Sequence, residues 1–247
     1  MKIGVDVGGT NTDAVVLGPN GVLGWCKTPT TADVYSGVVS AITQAITDAG
    51  ADRADVDCVM IGTTQFTNAV IQRKSLLPVG IIRLALPATS AIPPLTDWPD
   101  DLINKISRNA YLVGGGYEFD GREIAPLDEK GVAAAARDFQ KNSIRAVAIT
   151  SVFSPINGNM ERRAAEIVQN EVPDIAVSLS CELGQFGLLP RENSTIINAA
   201  LSQLSGHVVQ AFRLSLQEPD LKAPLHSLIN ILRRRRPHGT RTTRAPA

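Results

Sequence analysis

The chain has 247 residues, enough for one large domain or two small ones around a real core. Apolar residues make up 44%, charged residues 19% and aromatics only 4%, so the core must be built from Val, Ile, Leu and Ala, a composition that favours α/β architecture. A formal net charge of zero excludes a global field drawing the chain to nucleic acid, and the three scattered cysteines, Cys26, Cys58 and Cys181, fit neither a disulfide framework nor a CxxC zinc site.

Lys2–Val7 and Ala14–Leu17 read as short apolar strands joined by the turn sequence GGTNTD, and a second turn at Gly18–Gly21 leads to a third strand at Val22–Lys27. Three strands on tight turns predict an antiparallel meander. After the break at Thr28–Thr31, with Asp33 or Thr31 as cap, a helix is predicted through about Ala49, its apolar face formed by Val34, Val38, Ala41, Ile42, Ala45 and Ile46 and its end marked by Gly50. A strand at Val56–Ile61, a helix at Thr67–Arg73 and a strand at Val79–Leu84 complete a β-β-β-α-β-α-β series. A switch from hairpins to crossovers predicts a mixed sheet with helices on its faces.

Residues 1–84 therefore read as the first part of an α/β domain, and 85–127, with Pro87, Pro93, Pro94, Pro99 and Gly114–Gly116, as a loop-rich insertion. Residues 128–217 resume the alternation: helix at Asp128–Asn142, strand at Ala146–Ser151, helix at Asn159–Asn170, strand at Ile175–Leu179 and a long helix at Ser194–Gln217. Residues 218–247 read as a tail, disordered or frame-shifted, because Arg233–Arg236, Arg241 and Arg244 carry no interleaved aromatics of the kind a nucleic-acid surface uses.

The position of Asp6 is the most informative feature. A carboxylate at the end of a buried strand, followed at once by Gly8 and Gly9, suits a polyphosphate: backbone N–H groups of the turn point into a cleft and glycine lets the anion approach them. Thr10, Asn11 and Thr12 add short donors, and Asp6 can hold a hydrated Mg²⁺ beside the phosphates. The competing reading is an ordinary hairpin with a buried, capped aspartate. Thr63, Thr64, Thr67 and Asn68 follow a strand and open a helix, where free N–H groups can meet an anion or a polarised carbonyl, or where the threonines simply cap the helix. Glu182, Arg191 and Glu192 read as solvated charges or a mutual ion pair in a polar linker, and Asp128 as a helix cap. His207, His226 and His238 have no metal-ligand spacing.

The string IGVDVGGTNTDAVV resembles the first phosphate loop of the actin/Hsp70/sugar-kinase superfamily, and its TDAV ending resembles the hydantoinase/oxoprolinase family. Gly62-Thr63-Thr64 with Thr67-Asn68-Ala69 and Arg73, then GGGYEFDGREIAPLD (114–128), FSPIN (153–157) and SCELGQFGLLPRENSTIINAAL (180–201), resemble further segments of that family in the same order, so the resemblance covers about residues 2–226. It implies an RNase H-like mixed sheet and an ATP- and Mg²⁺-dependent hydrolase that phosphorylates a ring amide oxygen before water opens the ring. On that resemblance Asp6, Thr63, Thr64 and Asn68 are the candidate catalytic residues. Gly8, Gly9, Thr10, Asn11, Thr12 and Asp13 are the candidate cofactor-binding residues, and Asp6 is the metal ligand. It further implies a cyclic amide as small-molecule substrate and a possible partner subunit for the other half-reaction. From charge and hydropathy neither nucleic acid nor membrane is expected as partner, and the three scattered cysteines read as reduced thiols of a cytoplasmic protein. A second phosphate loop, which the family pattern requires, is not found, so the chain reads as an N-terminal part, weakly active alone. A small-molecule kinase and a non-catalytic nucleotide-binding module are the alternatives.

Overall fold

The computed structural model describes residues 1–31, 34–106, 109–183, 187–217 and 225–227. Asp33, Gln185, His238 and the arginine run therefore lie outside the described residues. The described chain divides into two compact units. One comprises the described residues of Met1–Pro78, Trp98–Arg108 and Ala199–Asn230, and the other those of Val79–Asp97 and Asn109–Asn198.

The first unit is built on strands β1 (Lys2–Val7), β2 (Asn11–Gly18), β3 (Gly21–Pro29), β4 (Cys58–Thr63) and the later β9 (Leu225–Ser227). They form one sheet in the order β3-β2-β1-β4-β9, with the first three strands antiparallel, as the meander predicts, and β4 and β9 added in parallel. Strict alternation makes the sheet two-sided. Ile3, Val5 and Val7, then Thr12, Ala14 and Val16, then Val59 and Ile61 are buried. Helix α1 (Val34–Asp48) packs on this side, burying Val38, Ala41, Ile42, Ala45 and Ile46. It stops at Gly50, whose φ of +58° allows the left-handed turn in which Ala51 N–H reaches Ile46 C=O and Gly50 N–H reaches Thr47 C=O. Helix α7 (Ser202–Gln217) lies on α1 with Val208 and Phe212 buried. Helix α2 (Gln65–Gln72) follows β4 and ends at Arg73, and α3 (Asp100–Ile106) is tied to Arg73 by an Asp101 ion pair of 2.9 Å.

The second unit carries a parallel sheet in the order β6-β5-β7-β8, from β5 (Val79–Leu86), β6 (Ala110–Gly114), β7 (Ala146–Ser151) and β8 (Ala176–Leu179). The central strands β5 and β7 are buried almost throughout, as parallel strands covered on both faces must be. Helices α4 (Glu129–Lys141) and α5 (Asn159–Glu171) close one face over a core that includes Leu84, Phe139, Ile149 and Val168. Asp128 caps α4, accepting Gly131 N–H at 2.9 Å. Helix α6 (Leu188–Ala200) covers the other face through Glu192 and Asn198, which meet Arg83 of β5 and Ser178 of β8.

Two sequence expectations are corrected here, and the loop-rich 85–127 stretch also supplies α3 and the strand β6. The single long helix expected over 194–217 is two, parted at Leu201, where Ala200 C=O is taken by Leu77 N–H (2.8 Å). Arg191 and Glu192 do not lie in a linker. They sit on α6, 2% and 0% exposed, and Glu192 pairs with Arg83 rather than with its neighbour, through two contacts of 2.6 Å. Arg191 instead donates to Ser180 Oγ (3.0 Å) and Ser151 C=O (2.5 Å). A buried guanidinium needs such partners, since its desolvation is otherwise uncompensated.

Candidate functional site

The carboxyl ends of β1 and β4 lie side by side, and the β1–β2 hairpin rises from the first of them. Gly8 N–H donates to Asn11 C=O at 2.9 Å, which closes a two-residue bend of Gly9 and Thr10. Both bend residues are exposed, and neither donates its amide to a backbone carbonyl among the described residues. Gly8 is required by space rather than by φ: a Cβ there would stand 2.8 Å from Asn11 O, a backbone atom that cannot swing aside. At Gly9 a Cβ would stand 3.0 Å from Nδ2 of Asn68, so the amide of α2 lies against the bend.

Asp6 is exposed and points to the side of the sheet opposite α1. Its cross-strand neighbours are Asp13 on β2 and Gly62 on β4. Asp13 is held by Lys27 of β3 at 2.7 Å. Thr12 points the other way. It is 1% exposed, on the α1 side, within 3.1 Å of Thr30 Oγ1. Thr63 is committed twice, donating to Val7 C=O (2.8 Å) and accepting Gln65 N–H (3.1 Å) at the start of α2. Thr64 is exposed, and its carbonyl accepts Asn68 N–H at 3.0 Å. The structure thus gathers Asp6, Gly8, Gly9, Thr63, Thr64 and Asn68 around one end of the sheet, with Asp13 beside Asp6, while the Thr12 side chain is turned into the core.

Below Asp6 the open face of the sheet forms a trough of about 540 Å³ lined by Gly4, Val15, Trp25, Met60 and Gly62 among others, with Trp25 64% exposed. The described residues hold no cluster of three or more His, Cys, Asp or Glu suited to a metal ion. Magnesium does not need one, since it is commonly bound by one or two carboxylates with phosphate and water completing the shell. The exposed Asp6, next to a bend whose Gly9 and Thr10 amides donate to no backbone carbonyl among the described residues, fits that pattern. Neither Cys26 nor Cys181 is poised as a thiolate nucleophile: burial, with Asp48 and Asp13, pushes the Cys26 thiol up, and burial beside Glu161 pushes Cys181 up to about 12. Thr30 is the residue that sequence reasoning passed over. Its signal was alternation, since Gly24, Cys26, Thr28 and Thr30 share the α1 side of β3 and its extension.

The three-strand meander extended by parallel strands defines an RNase H-like α/β fold, the architecture of the actin and sugar-kinase group. The chain belongs to the hydantoinase/oxoprolinase family, matching that family's N-terminal region over residues 2–172. It is 29% identical to caprolactamase subunit alpha of Pseudomonas jessenii over 241 residues, 90% of this chain and 34% of that one. The crystal structure of ATP-dependent caprolactamase from the same organism is similar with a TM-score of 0.71 at 25% identity, over 92% of this chain and 35% of that one. A nucleotide-free structure of acetone carboxylase shares the fold, with a TM-score of 0.74 at 20% identity over 91% and 36% of the two chains. The chain spans about a third of the length of the curated relatives it matches. No helix among the described residues is long and apolar enough to cross a membrane.

Proposed function

We propose that this chain supplies the phosphate-binding part of an ATP-dependent cyclic amide hydrolase acting in the cytoplasm. The observation that carries the reading is the exposed carboxylate of Asp6 beside a bend whose first glycine has no room for a side chain, in a chain related to a caprolactamase subunit. The Gly9 and Thr10 amides receive phosphate oxygens, with Thr10 and Asn11 as further donors and Asn68 steadying the bend from α2. Asp6 holds Mg²⁺ directly or through water, and the ion supplies charge neutralisation between the phosphates and the carboxylate. Thr63 fixes the junction of β4 and α2 against β1, and Thr64, exposed at that junction, meets the substrate. The substrate class is a lactam or hydantoin-like ring. The γ-phosphoryl passes to the ring amide oxygen and leaves ADP. Water adds to the activated carbon, the C–N bond breaks to leave an acyl phosphate and the ring nitrogen as an amine (lactam) or ureido NH2 (hydantoin), and a second water cleaves the acyl phosphate to carboxylate and inorganic phosphate. A partner subunit completes the reaction, as the word subunit in the relative's name suggests.

Calorimetry with Mg·ATP on the chain and its Asp6→Asn variant tests the reading. The variant should fold normally, because Asp6 is exposed, and should bind at least about tenfold more weakly, the cost of a lost charge–metal contact. Equal binding by the two proteins sinks the assignment.

A further inference from the structure

We infer that Thr30 is a positioning residue for the phosphate bend, acting by polarising and aiming the amide of Gly9. The inference rests on the proposed phosphate role of that bend. Thr30 grips the bend twice, its hydroxyl donating to Gly8 C=O at 3.0 Å and its amide donating to Thr10 C=O at 2.8 Å. A threonine hydroxyl has one proton. Since that of Thr30 is given to Gly8, the 3.1 Å contact between the Thr12 and Thr30 hydroxyls must have Thr12 as donor. The result is a directed chain: Thr12 O–H to Thr30 O–H to Gly8 C=O. Each link strengthens the next, because a hydroxyl that accepts becomes a better donor.

The chain ends on the peptide that joins Gly8 to Gly9. In a planar trans peptide the C=O and N–H point in opposite directions. The Gly8 carbonyl is aimed at Thr30, on the side of the buried Thr12, so the Gly9 N–H is aimed to the other side, the one that carries Asp6 and Asp13. Hydrogen bonding at the carbonyl oxygen also draws electrons through the amide and leaves its N–H a stronger donor. From β4, Thr63 does the matching work one peptide earlier, donating to Val7 C=O at 2.8 Å. The bend is thus held from two elements. Thr30 is the arm that bears on the peptide whose N–H faces the proposed anion.

The test compares the intact chain with Thr30→Val and Thr30→Ser. Valine keeps the shape and the backbone bond and removes the relay; serine restores the hydroxyl. In Thr30→Val the Gly9 amide proton resonance should move upfield, and exchange of the Gly8 and Thr30 amides should quicken about fivefold to tenfold. Mg·ATP affinity should fall about tenfold, with the serine variant close to wild type in all three. An unmoved Gly9 resonance with unchanged exchange overturns the relay, whatever happens to ATP. A moved resonance with wild-type ATP affinity overturns the positioning role and leaves the phosphate reading standing. If the unaltered chain binds no Mg·ATP, the phosphate reading fails, and the role of Thr30 in binding fails with it.

Discussion

Replacing Gly8 or Gly9 with alanine separates what the bend needs to exist from what it needs to bind. At Gly8 the new methyl would meet Asn11 O at 2.8 Å, and that oxygen already accepts Gly8's own N–H at 2.9 Å. Neither atom can retreat without parting the strands where the hairpin closes. The cost is an overpacking penalty plus a weakened hydrogen bond, about 1–3 kcal/mol together. In a chain of this size that is a fall of about 3–10 °C in melting temperature. At Gly9 the obstacle is Asn68 Nδ2 at 3.0 Å, the end of a side chain that can turn away, so the cost should stay under about 1 kcal/mol. The Gly9 methyl nevertheless stands beside the amide proposed to meet phosphate. Thermal melts followed by circular dichroism, paired with Mg·ATP calorimetry, should show Gly8→Ala as the melting defect and Gly9→Ala as the binding defect, with Gly9→Ala weaker by about tenfold. If Gly8→Ala melts within a degree of wild type, the steric reasoning is wrong.

Two further outcomes follow from the second unit. Breaking the buried Arg83–Glu192 pair by Glu192→Gln should cost about 3–5 kcal/mol, since a guanidinium is left without its carboxylate, while Arg83→Met with Glu192→Leu should recover most of it. Urea titration of the three proteins reads this, and a double variant no better than the single one refutes it. The Cys181 thiol, pushed up to about 12, should resist iodoacetamide at pH 8 until the protein is unfolded, as mass mapping of the peptide would show. The sign for stability follows from the same displacement. The folded protein keeps a proton that the unfolded chain releases above its ordinary thiol pKa near pH 8.5, so this contribution is whole below that pH and is lost as pH rises towards 12. Reactivity at pH 8 equal in folded and unfolded protein contradicts it.

Much of the first unit could be read from residues close together in the chain. KIGVDV and AVVL read as strands and the glycine pair marks the turn between them, although β2 begins at Asn11, inside the expected turn. The second unit was harder because its decisive contacts are distant. The run VGIIRLAL carried a local warning, an arginine inside an apolar strand, yet its partner lies 109 residues on. Without that partner Arg191 and Glu192 read as part of a polar linker, because adjacent charges ahead of a helical pattern resemble a solvated surface. They are buried, on a helix laid across a sheet whose own face carries Arg83, Thr150 and Ser178. Thr30 was missed for a similar reason. Alternation puts it on the α1 side of the sheet but does not name its partner, the Gly8 carbonyl 22 positions earlier, from which its worth comes.

The charges at the end of β1 bear on the magnesium ion proposed for Asp6. Asp6 and Asp13 are directly opposed on neighbouring antiparallel strands, an arrangement that like charges destabilise. Lys27, opposite Asp13 on the next strand, answers one of the two carboxylates. Both members of that pair are about half exposed, so its own contribution is small, about 0–1 kcal/mol. Its effect is rather to assign the charges, Asp13 to Lys27, with Asp6 left as the carboxylate that makes no ion pair or side-chain hydrogen bond among the described residues. The flank of Asp6 towards β4 is open, since even a Cβ at Gly62 would stand 4.0 Å from Asp6 Oδ1. An unneutralised carboxylate beside outward-facing amides would repel a bare phosphate. It would accept the same phosphate once a divalent ion stood between them, and that is the sense in which the pairing of Asp13 and the exposure of Asp6 belong to one arrangement.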